Sequence, residues 1–267
     1  MREVMTSKIT AQGLGIARIM VGIGAMVIAI ETAAKLGLAA NGRLTMPVLH
    51  GVPPPSLEAA SAYFVLAAAA GTFLTLGVLA RTAAGLTSVL QVAVLLWDQQ
   101  TYSSHRLLLL LLCVFLAMSD CAAGWSLRSR FRGGRQAVPY WPQLLMMSQV
   151  SACYLFAGLS KVNDSFLSGD VLRFQVWWHL PAAAFVPMAY ATVLAEISLG
   201  VGLWFRRLRV PAVVLGFCLH LSICLMMRES LVLLAFALLA MSTYPMFLRR
   251  PVLGVDTGLP ARVEVSA

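Results

Sequence analysis

Long apolar stretches constrain this chain more than any other feature. A helix that crosses the hydrocarbon core of a bilayer needs about 20 mainly apolar residues, with a usable range of about 17–25. Eight stretches are candidates, and they run approximately over residues 14–38, 57–80, 83–97, 106–122, 141–162, 182–204, 210–227 and 231–247. We therefore predict an all-α protein, a polytopic membrane bundle of about eight transmembrane helices.

The composition supports a location in the lipid bilayer. Apolar residues make up 60% of the 267 residues and charged residues only 12%. A soluble domain usually has about 45–50% apolar and about 25% charged residues. Because too few polar side chains remain to cover a water-facing surface, an ordinary soluble enzyme and a disordered protein are excluded. The net charge of +9 then reflects membrane topology and does not indicate a nucleic-acid partner.

Lysine and arginine are concentrated in alternate connections between the apolar stretches. Thirteen of the 20 lie at the two ends and in every second connection, six lie on the other side, and Arg18 lies within the first stretch. Since short cytoplasmic loops are enriched in these residues, we predict that both termini are cytoplasmic. Residues 1–250 are expected to form one transmembrane domain, and residues 251–267 a short cytoplasmic tail.

Ionisable residues within the stretches gather toward the outer side. Such residues are costly in lipid and usually face the bundle interior or a water-filled cavity. Glu196 and His220 lie away from either interface, and we interpret them as functional groups or as an internal polar pair. Other polar or aromatic residues lie nearer the outer ends of the spans; these are Glu31, Asp98, His105, Arg106, Lys161, Asn163, Asp164, Trp177, Trp178, His179, Arg228 and Glu229.

Several of these outer residues also have a structural explanation. Lys161 can extend its ammonium group from a helix end to the interface. Trp177 and Trp178 can belong to an aromatic belt, and the polar residues before the fourth stretch can cap a short helix. No two histidines have the i, i+4 spacing of paired ligands, and the five cysteines contain no CxxC pair. We therefore predict no metal site.

The segment around Lys161 resembles part of a known family. Residues 154–170 read YLFAGLSKVNDSFLSGD, which is similar to a helix-end lysine motif in the transmembrane part of vitamin K-dependent gamma-carboxylase. The same domain occurs in bacterial relatives, the horizontally transferred transmembrane (HTTM) proteins. Residues 103–106 (SSHR) and 217–222 (FCLHLS) resemble two further segments of the family. The resemblance implies a small bacterial member in the inner membrane.

The resemblance also implies roles for three residues. Lys161 matches the lysine that acts as the base on vitamin K hydroquinone, although Ser160 replaces the first lysine of the family's Lys-Lys pair. His105 matches the family's functional histidine at a helix entry, and His220 aligns with a further family histidine. Either His105 or His220 would hydrogen-bond the second quinone oxygen and stabilise negative charge there. The carboxylase's region for recognising a protein substrate has no counterpart here, so protein carboxylation is not expected.

The expected chemistry is the half-reaction that takes place within the membrane. A lipophilic hydroquinone or related phenol would be oxidised by molecular oxygen to a quinone epoxide, with no metal or bound cofactor required. Lys161 would act as a general base, because desolvation in an apolar pocket disfavours its ammonium form. The residues expected to contact the substrate are Asp98, Trp177, Trp178, His179 and Glu196.

Two other functions are compatible with the same residues. The outer polar residues would form a docking surface if the chain is a maturation or partner protein for a secreted peptide. Glu31, Glu196 and His220 would line a pathway if the chain transports a small molecule or protons, although no inverted repeat is evident.

Overall fold

The computed structural model describes residues 7–43, 46–49, 51–134, 137–228 and 230–249. Two short strands, β1 (Lys8–Thr10) and β2 (Ala137–Pro139), pair antiparallel with Ile9 opposite Val138. The remaining regular structure is helical, in chain order α1 (Ala11–Ala40), α2 (Leu57–Leu76), α3 (Ala80–Trp97), α4 (Ser104–Ala117), α5 (Leu127–Arg132), α6 (Trp141–Ser160), α7 (Asp164–Leu167), α8 (Asp170–Gln175), α9 (Phe185–Gly202), α10 (Arg209–Met226), α11 (Ser230–Met241) and α12 (Tyr244–Arg249).

The prediction of a mainly helical membrane protein is confirmed. Each of the eight predicted stretches overlaps a helix, and the last one overlaps both α11 and α12. Six segments of the described residues are long and apolar enough to cross a membrane; they are Ala11–Ala40, Leu57–Leu76, Ala80–Trp97, Ala182–Gly202, Arg209–Met226 and Leu231–Leu248. The chain is therefore a multi-pass membrane protein.

Two of the eight predicted spans are not among these six segments, and the sequence of each explains why. Helix α4 is apolar but has only 14 residues, which is shorter than the bilayer core requires. Helix α6 has 20 residues but carries several serines and glutamines among its apolar side chains. The count of eight spans and the cytoplasmic termini stay predictions, and the predicted tail at 251–267 lies outside the described residues.

Local sequence signals explain where helix α2 begins and ends. Ser56 is its N-cap, and the serine hydroxyl accepts a hydrogen bond from the backbone N–H of Ala59 at 3.1 Å. Gly77 follows the helix with a φ of 72°, a left-handed conformation that glycine adopts without steric cost. A Cβ at Gly77 would also lie 2.9 Å from Nη1 of Arg18, so the glycine leaves room for that side chain.

Helix α1 lies at the centre of the bundle and packs against α2, α4, α11 and α12. Small residues allow it to approach α2 closely: a Cβ at Gly22 would collide with Thr75, and one at Gly71 would lie 2.8 Å from the Met26 side chain. Such close approaches are typical of helices in membranes, where packing replaces the hydrophobic driving force.

Arg18 ties helix α1 to the chain segments around it. Its side chain is fully buried, and its guanidinium donates hydrogen bonds to four backbone carbonyl oxygens, those of Leu74, Thr75, Cys121 and Trp125. Two of these carbonyls belong to the last turn of α2, where the helix dipole favours a cation. Arg18 is thus an internal structural residue.

Candidate functional site

One cavity collects several of the polar residues that the sequence singles out. Its volume is about 260 Å³, and His105, Lys161, Glu196 and His220 all line it. The rest of its wall is mainly apolar and comes from α6 to α11, together with Ser104 at the start of α4. Binding sites for small molecules are typically apolar clefts of about 300–1,000 Å³ with a few polar groups. This cavity has that character, and its volume is slightly below that range.

Lys161 and Glu196 form an ion pair at the wall of the cavity. The lysine follows the last residue of α6, and its Nζ lies 2.8 and 2.7 Å from the two carboxylate oxygens of Glu196 in α9. The ammonium group also donates to the backbone oxygen of Ala157 at 3.2 Å. The lysine side chain is 27% exposed and the glutamate side chain 10%. The amine that we expect in an apolar pocket is therefore paired with a carboxylate, and this partner, Glu196, is a residue that we expect to contact substrate.

Gly158 brings these two helices close enough for the pair to form. A Cβ at this position would lie 2.8 Å from Cγ1 of Ile197 in α9, which is closer than side-chain atoms pack. On the facing helix, a Cβ at Gly200 would lie 2.6 Å from the Leu155 side chain. The Ala-Gly of the lysine motif thus has a packing role, because a larger residue would move Lys161 away from α9.

His220 reaches the cavity from α10 and belongs to a chain of hydrogen bonds. Its Nε2 lies 2.7 Å from the hydroxyl oxygen of Tyr154, which lies 2.7 Å from that of Tyr244. All three side chains are buried. Their hydrogen bonds to one another therefore provide partners that the apolar surroundings would not provide. The sequence singles out His220 for its depth in a span, but Tyr244 carries no such signal because tyrosines are common in membrane helices.

His105 belongs to a buried ionic cluster that joins α1 and α4. Its Nε2 lies 2.7 Å from Oε2 of Glu31, and Nη2 of Arg106 lies 3.1 Å from Oε1 of the same carboxylate. Lys35, one turn further along α1, places its Nζ 2.8 Å from that Oε1. The side chain of Arg106 is fully buried, and its Nε and Nη1 have no hydrogen-bond partner among the described residues. His105 and Arg106 therefore bind an internal carboxylate from another helix.

The model of the HTTM domain family matches residues 7–250. The chain belongs to the HTTM family. This match confirms the resemblance drawn from the lysine and histidine segments, and the HTTM domain is associated with vitamin K-dependent carboxylase-like proteins. No curated protein and no solved structure matches the chain.

Asp98 of this HTTM protein lies away from the cavity. Its side chain is buried, and its carboxylate accepts hydrogen bonds from the backbone N–H of Met46 at 2.9 Å and of Gln100 at 2.8 Å. These bonds connect the end of α3 to the segment that precedes α2. The structure thus gives Asp98 a local structural role, and its contact with substrate stays a prediction.

Three further predicted substrate contacts do not line the cavity; they are Trp177, Trp178 and His179. Trp177 donates from its Nε1 to the backbone oxygen of Leu225 at 3.0 Å, and its ring meets Trp178 edge to face. Both tryptophans and His179 are exposed, and the substrate role of the three stays a prediction. Within the described part of the chain, no group of three or more His, Cys, Asp or Glu residues is placed to hold a metal ion.

Proposed function

We propose that this HTTM protein binds a lipophilic hydroquinone in the cavity and oxidises it with molecular oxygen to a quinone epoxide. The observation that carries the proposal is the convergence of Lys161, Glu196, His105 and His220 on one mainly apolar cavity. The association of the family with vitamin K-dependent carboxylase-like proteins supports the choice of substrate class. In the net reaction, one hydroquinone and one dioxygen give one quinone epoxide and one water.

The ion pair supplies the base. Transfer of a proton across the 2.7 Å between Nζ of Lys161 and the carboxylate of Glu196 gives an uncharged amine and an uncharged acid. Apolar surroundings accept this neutral pair at lower cost than they accept separated charges. The amine then takes the proton of one hydroquinone hydroxyl, which leaves an electron-rich phenolate that can add dioxygen. One oxygen atom stays in the epoxide, and the other leaves as water with the two hydroquinone protons.

The two histidines stabilise the charge that develops on the ring oxygens. Each imidazole uses Nε2 for a fixed partner, which is Glu31 for His105 and Tyr154 for His220. A partner of this kind fixes the orientation of the ring and the position of its proton. Preorganised donors of this kind act strongly where water is excluded.

The size of the cavity limits the shape of the substrate. A volume of about 260 Å³ is small for a binding site, so the cavity suits a compact ring system. A long isoprenoid chain on that ring would have to extend between the helices into the lipid. We therefore expect short-chain naphthohydroquinones to be used as readily as long-chain ones.

The test uses purified protein in lipid nanodiscs, supplied with reduced naphthohydroquinones and then with ¹⁸O-labelled dioxygen. Mass spectrometry should find one labelled oxygen in the epoxide. Replacing Lys161 by Ala should lower turnover about 10²–10⁴-fold, the usual contribution of a general base. Lys8→Ala is the matched control, because this exposed lysine lies in β1, outside the cavity.

Two results would refute the assignment. Undiminished turnover in Lys161→Ala would remove the lysine from the chemistry. Absence of epoxide from the unmodified protein with every hydroquinone tried would remove the reaction itself.

A further inference from the structure

A second opening adjoins the cavity at the end of the bundle where α10 ends and α11 begins. Its volume is about 240 Å³, and the residues that line it are Phe174, Gln175, Met227, Arg228 and Leu233. Three of these residues, Gln175, Met227 and Leu233, also line the cavity. The two spaces therefore share a boundary, and we call these three residues the neck.

Backbone hydrogen bonds hold the rim of the opening in place. The backbone N–H of Arg228 donates to the carbonyl oxygen of Gln175 at 3.1 Å, and that of Trp177 donates to the carbonyl oxygen of Met226 at 3.0 Å. These bonds join the end of α8 to the end of α10 and to the connection that follows it. The rim is thus a fixed part of the fold, and the opening does not depend on a movement of the backbone.

The residues of the neck have flexible side chains. Glutamine, methionine and leucine are all unbranched at Cβ, and methionine has three rotatable bonds that let it adapt to its neighbours. None of the three residues is buried. Because exposed side chains change rotamer within picoseconds to nanoseconds, a small ring or a hydrocarbon chain can pass the neck while every helix stays folded.

Beyond the neck, the surface around the opening is mainly apolar. A surface groove adjoins the opening, and the residues that line it are Trp177, Cys224, Leu225, Met227 and Arg228. Phe174 is 83% exposed, Trp177 56% and Leu225 54%. Apolar side chains on the outside of a membrane bundle contact lipid, and tryptophan is enriched near the bilayer surface. The opening therefore leads from the cavity toward lipid.

We propose that this opening is the lateral entrance by which the hydroquinone reaches the cavity, and that the isoprenoid chain of a long-chain substrate lies in the opening while its ring lies in the cavity. The inference rests on the proposed function, since it concerns the same substrate. The cavity of about 260 Å³ suits the ring, and the opening begins at the cavity wall.

The opening selects substrates by the space that it provides. Lipid tails are as apolar as the chain of the substrate, so transfer of that chain from lipid into the opening contributes little to binding. The neck instead determines which chains can be accommodated once the ring is in the cavity. Leu233 of α11 is then a residue that determines specificity for the chain.

The first experiment locates the chain and needs no turnover. The probe is a naphthoquinone that carries a photoreactive diazirine near the middle of a farnesyl-length alkyl chain. After irradiation in nanodiscs with the unmodified protein, peptide mass spectrometry should find the label on residues of the opening and the groove. An excess of a naphthoquinone without the chain should remove this labelling, because the two rings compete for the cavity.

The second experiment fills the neck with Leu233→Trp. Leu234→Trp is the matched control, because Leu234 is the next residue of α11, is 41% exposed and lines neither the cavity nor the opening. The measured quantity is the ratio of turnover between a long-chain and a short-chain hydroquinone. One methylene changes discrimination in a fitted pocket by about 10–200-fold, and an indole ring displaces several. The ratio should therefore fall at least about tenfold in Leu233→Trp and stay unchanged in the control.

The outcomes separate the entrance from the proposed oxidation. Displaceable labelling of the opening without epoxide formation supports the entrance and removes the oxidation. Displaceable labelling on residues elsewhere overturns the entrance alone. Labelling of the opening that the chain-free quinone does not displace shows an ordinary lipid-facing surface and also overturns the entrance, as does an unchanged ratio in a folded Leu233→Trp protein. Absence of any displaceable labelling removes quinone binding and both proposals.

Discussion

Replacement of Glu31 by glutamine tests the buried ionic cluster between α1 and α4. The carboxylate of Glu31 binds His105 at 2.7 Å and Arg106 at 3.1 Å, and it binds the more exposed Lys35 at 2.8 Å. Glutamine has nearly the same shape but no charge. The variant therefore removes the counter-charge and leaves the structure otherwise matched.

The expected cost comes mainly from Arg106. Its side chain is fully buried, and two of its three guanidinium nitrogens already have no partner in the described residues. Breaking a buried pair by removing one partner typically costs about 3–5 kcal/mol, because the remaining charge is left uncompensated. For a chain of this size, about 1 kcal/mol lowers Tm by roughly 2–4 °C, so Glu31→Gln should lower Tm on the order of 10 °C.

The assay is thermal unfolding in nanodiscs, followed by tryptophan fluorescence. Lys35→Gln is the control. Lys35 binds the same carboxylate, but the lysine side chain is 40% exposed. An exposed pair contributes about 0–1 kcal/mol, so this variant should change Tm by no more than a few degrees. Adding Arg106→Met to Glu31→Gln should restore much of the lost stability, since it removes the uncompensated charge.

A Tm for Glu31→Gln within about 3 °C of that of the unmodified protein, roughly 1 kcal/mol, would contradict a stabilising buried cluster. Simple addition of the effects of Glu31→Gln and Arg106→Met would also contradict it, because residues in one buried pair must be energetically coupled.

Three further predictions use the same unfolding assay. Tyr154→Phe breaks two hydrogen bonds and leaves their buried partners without a bond, so it should lower the free energy of unfolding by about 1–3 kcal/mol. Tyr244→Phe breaks only one of these bonds and should lower it by less. Equal losses would contradict the hydrogen-bonded chain. Gly216→Ala places a Cβ against the hydroxyl of Tyr244 and should cost about 1–3 kcal/mol, while Gly37→Ala meets no atom within 4 Å and should be neutral or stabilise by up to about 1 kcal/mol. Arg18→Lys should lower the free energy of unfolding by about 2–3 kcal/mol, because one ammonium group cannot reach four carbonyls. Proteolysis at residues 118–134 should then accelerate. Unchanged proteolysis would contradict the role of Arg18 in holding that segment in place.

The helices could be predicted because the bilayer imposes a length and an apolar composition on every span. Each predicted stretch overlaps a helix for this reason. The number of complete spans could not be fixed in the same way. Helix α4 is apolar enough but short, and α6 carries polar residues that face other helices and not lipid, such as the fully buried Gln143.

The candidate site could be predicted only in part. Glu196 and His220 are recognisable because lipid excludes such side chains unless something compensates them. Asp98, near the outer end of a predicted span, is also expected to contact substrate, yet its carboxylate accepts hydrogen bonds from two nearby backbone segments. Tyr154 and Tyr244 give almost no signal, since a tyrosine in a membrane helix has several ordinary uses.

By itself, the order of the residues determined that this chain lies in a membrane, which family it resembles, and which polar side chains need a partner inside the bundle. Only the tertiary structure decided the partners. Lys161 meets a carboxylate 35 positions away, and His105 meets one 74 positions away. The high energy of a charge in lipid demands compensation from somewhere, but small residues such as Gly158 and Gly22 determine which helices come close enough to provide it.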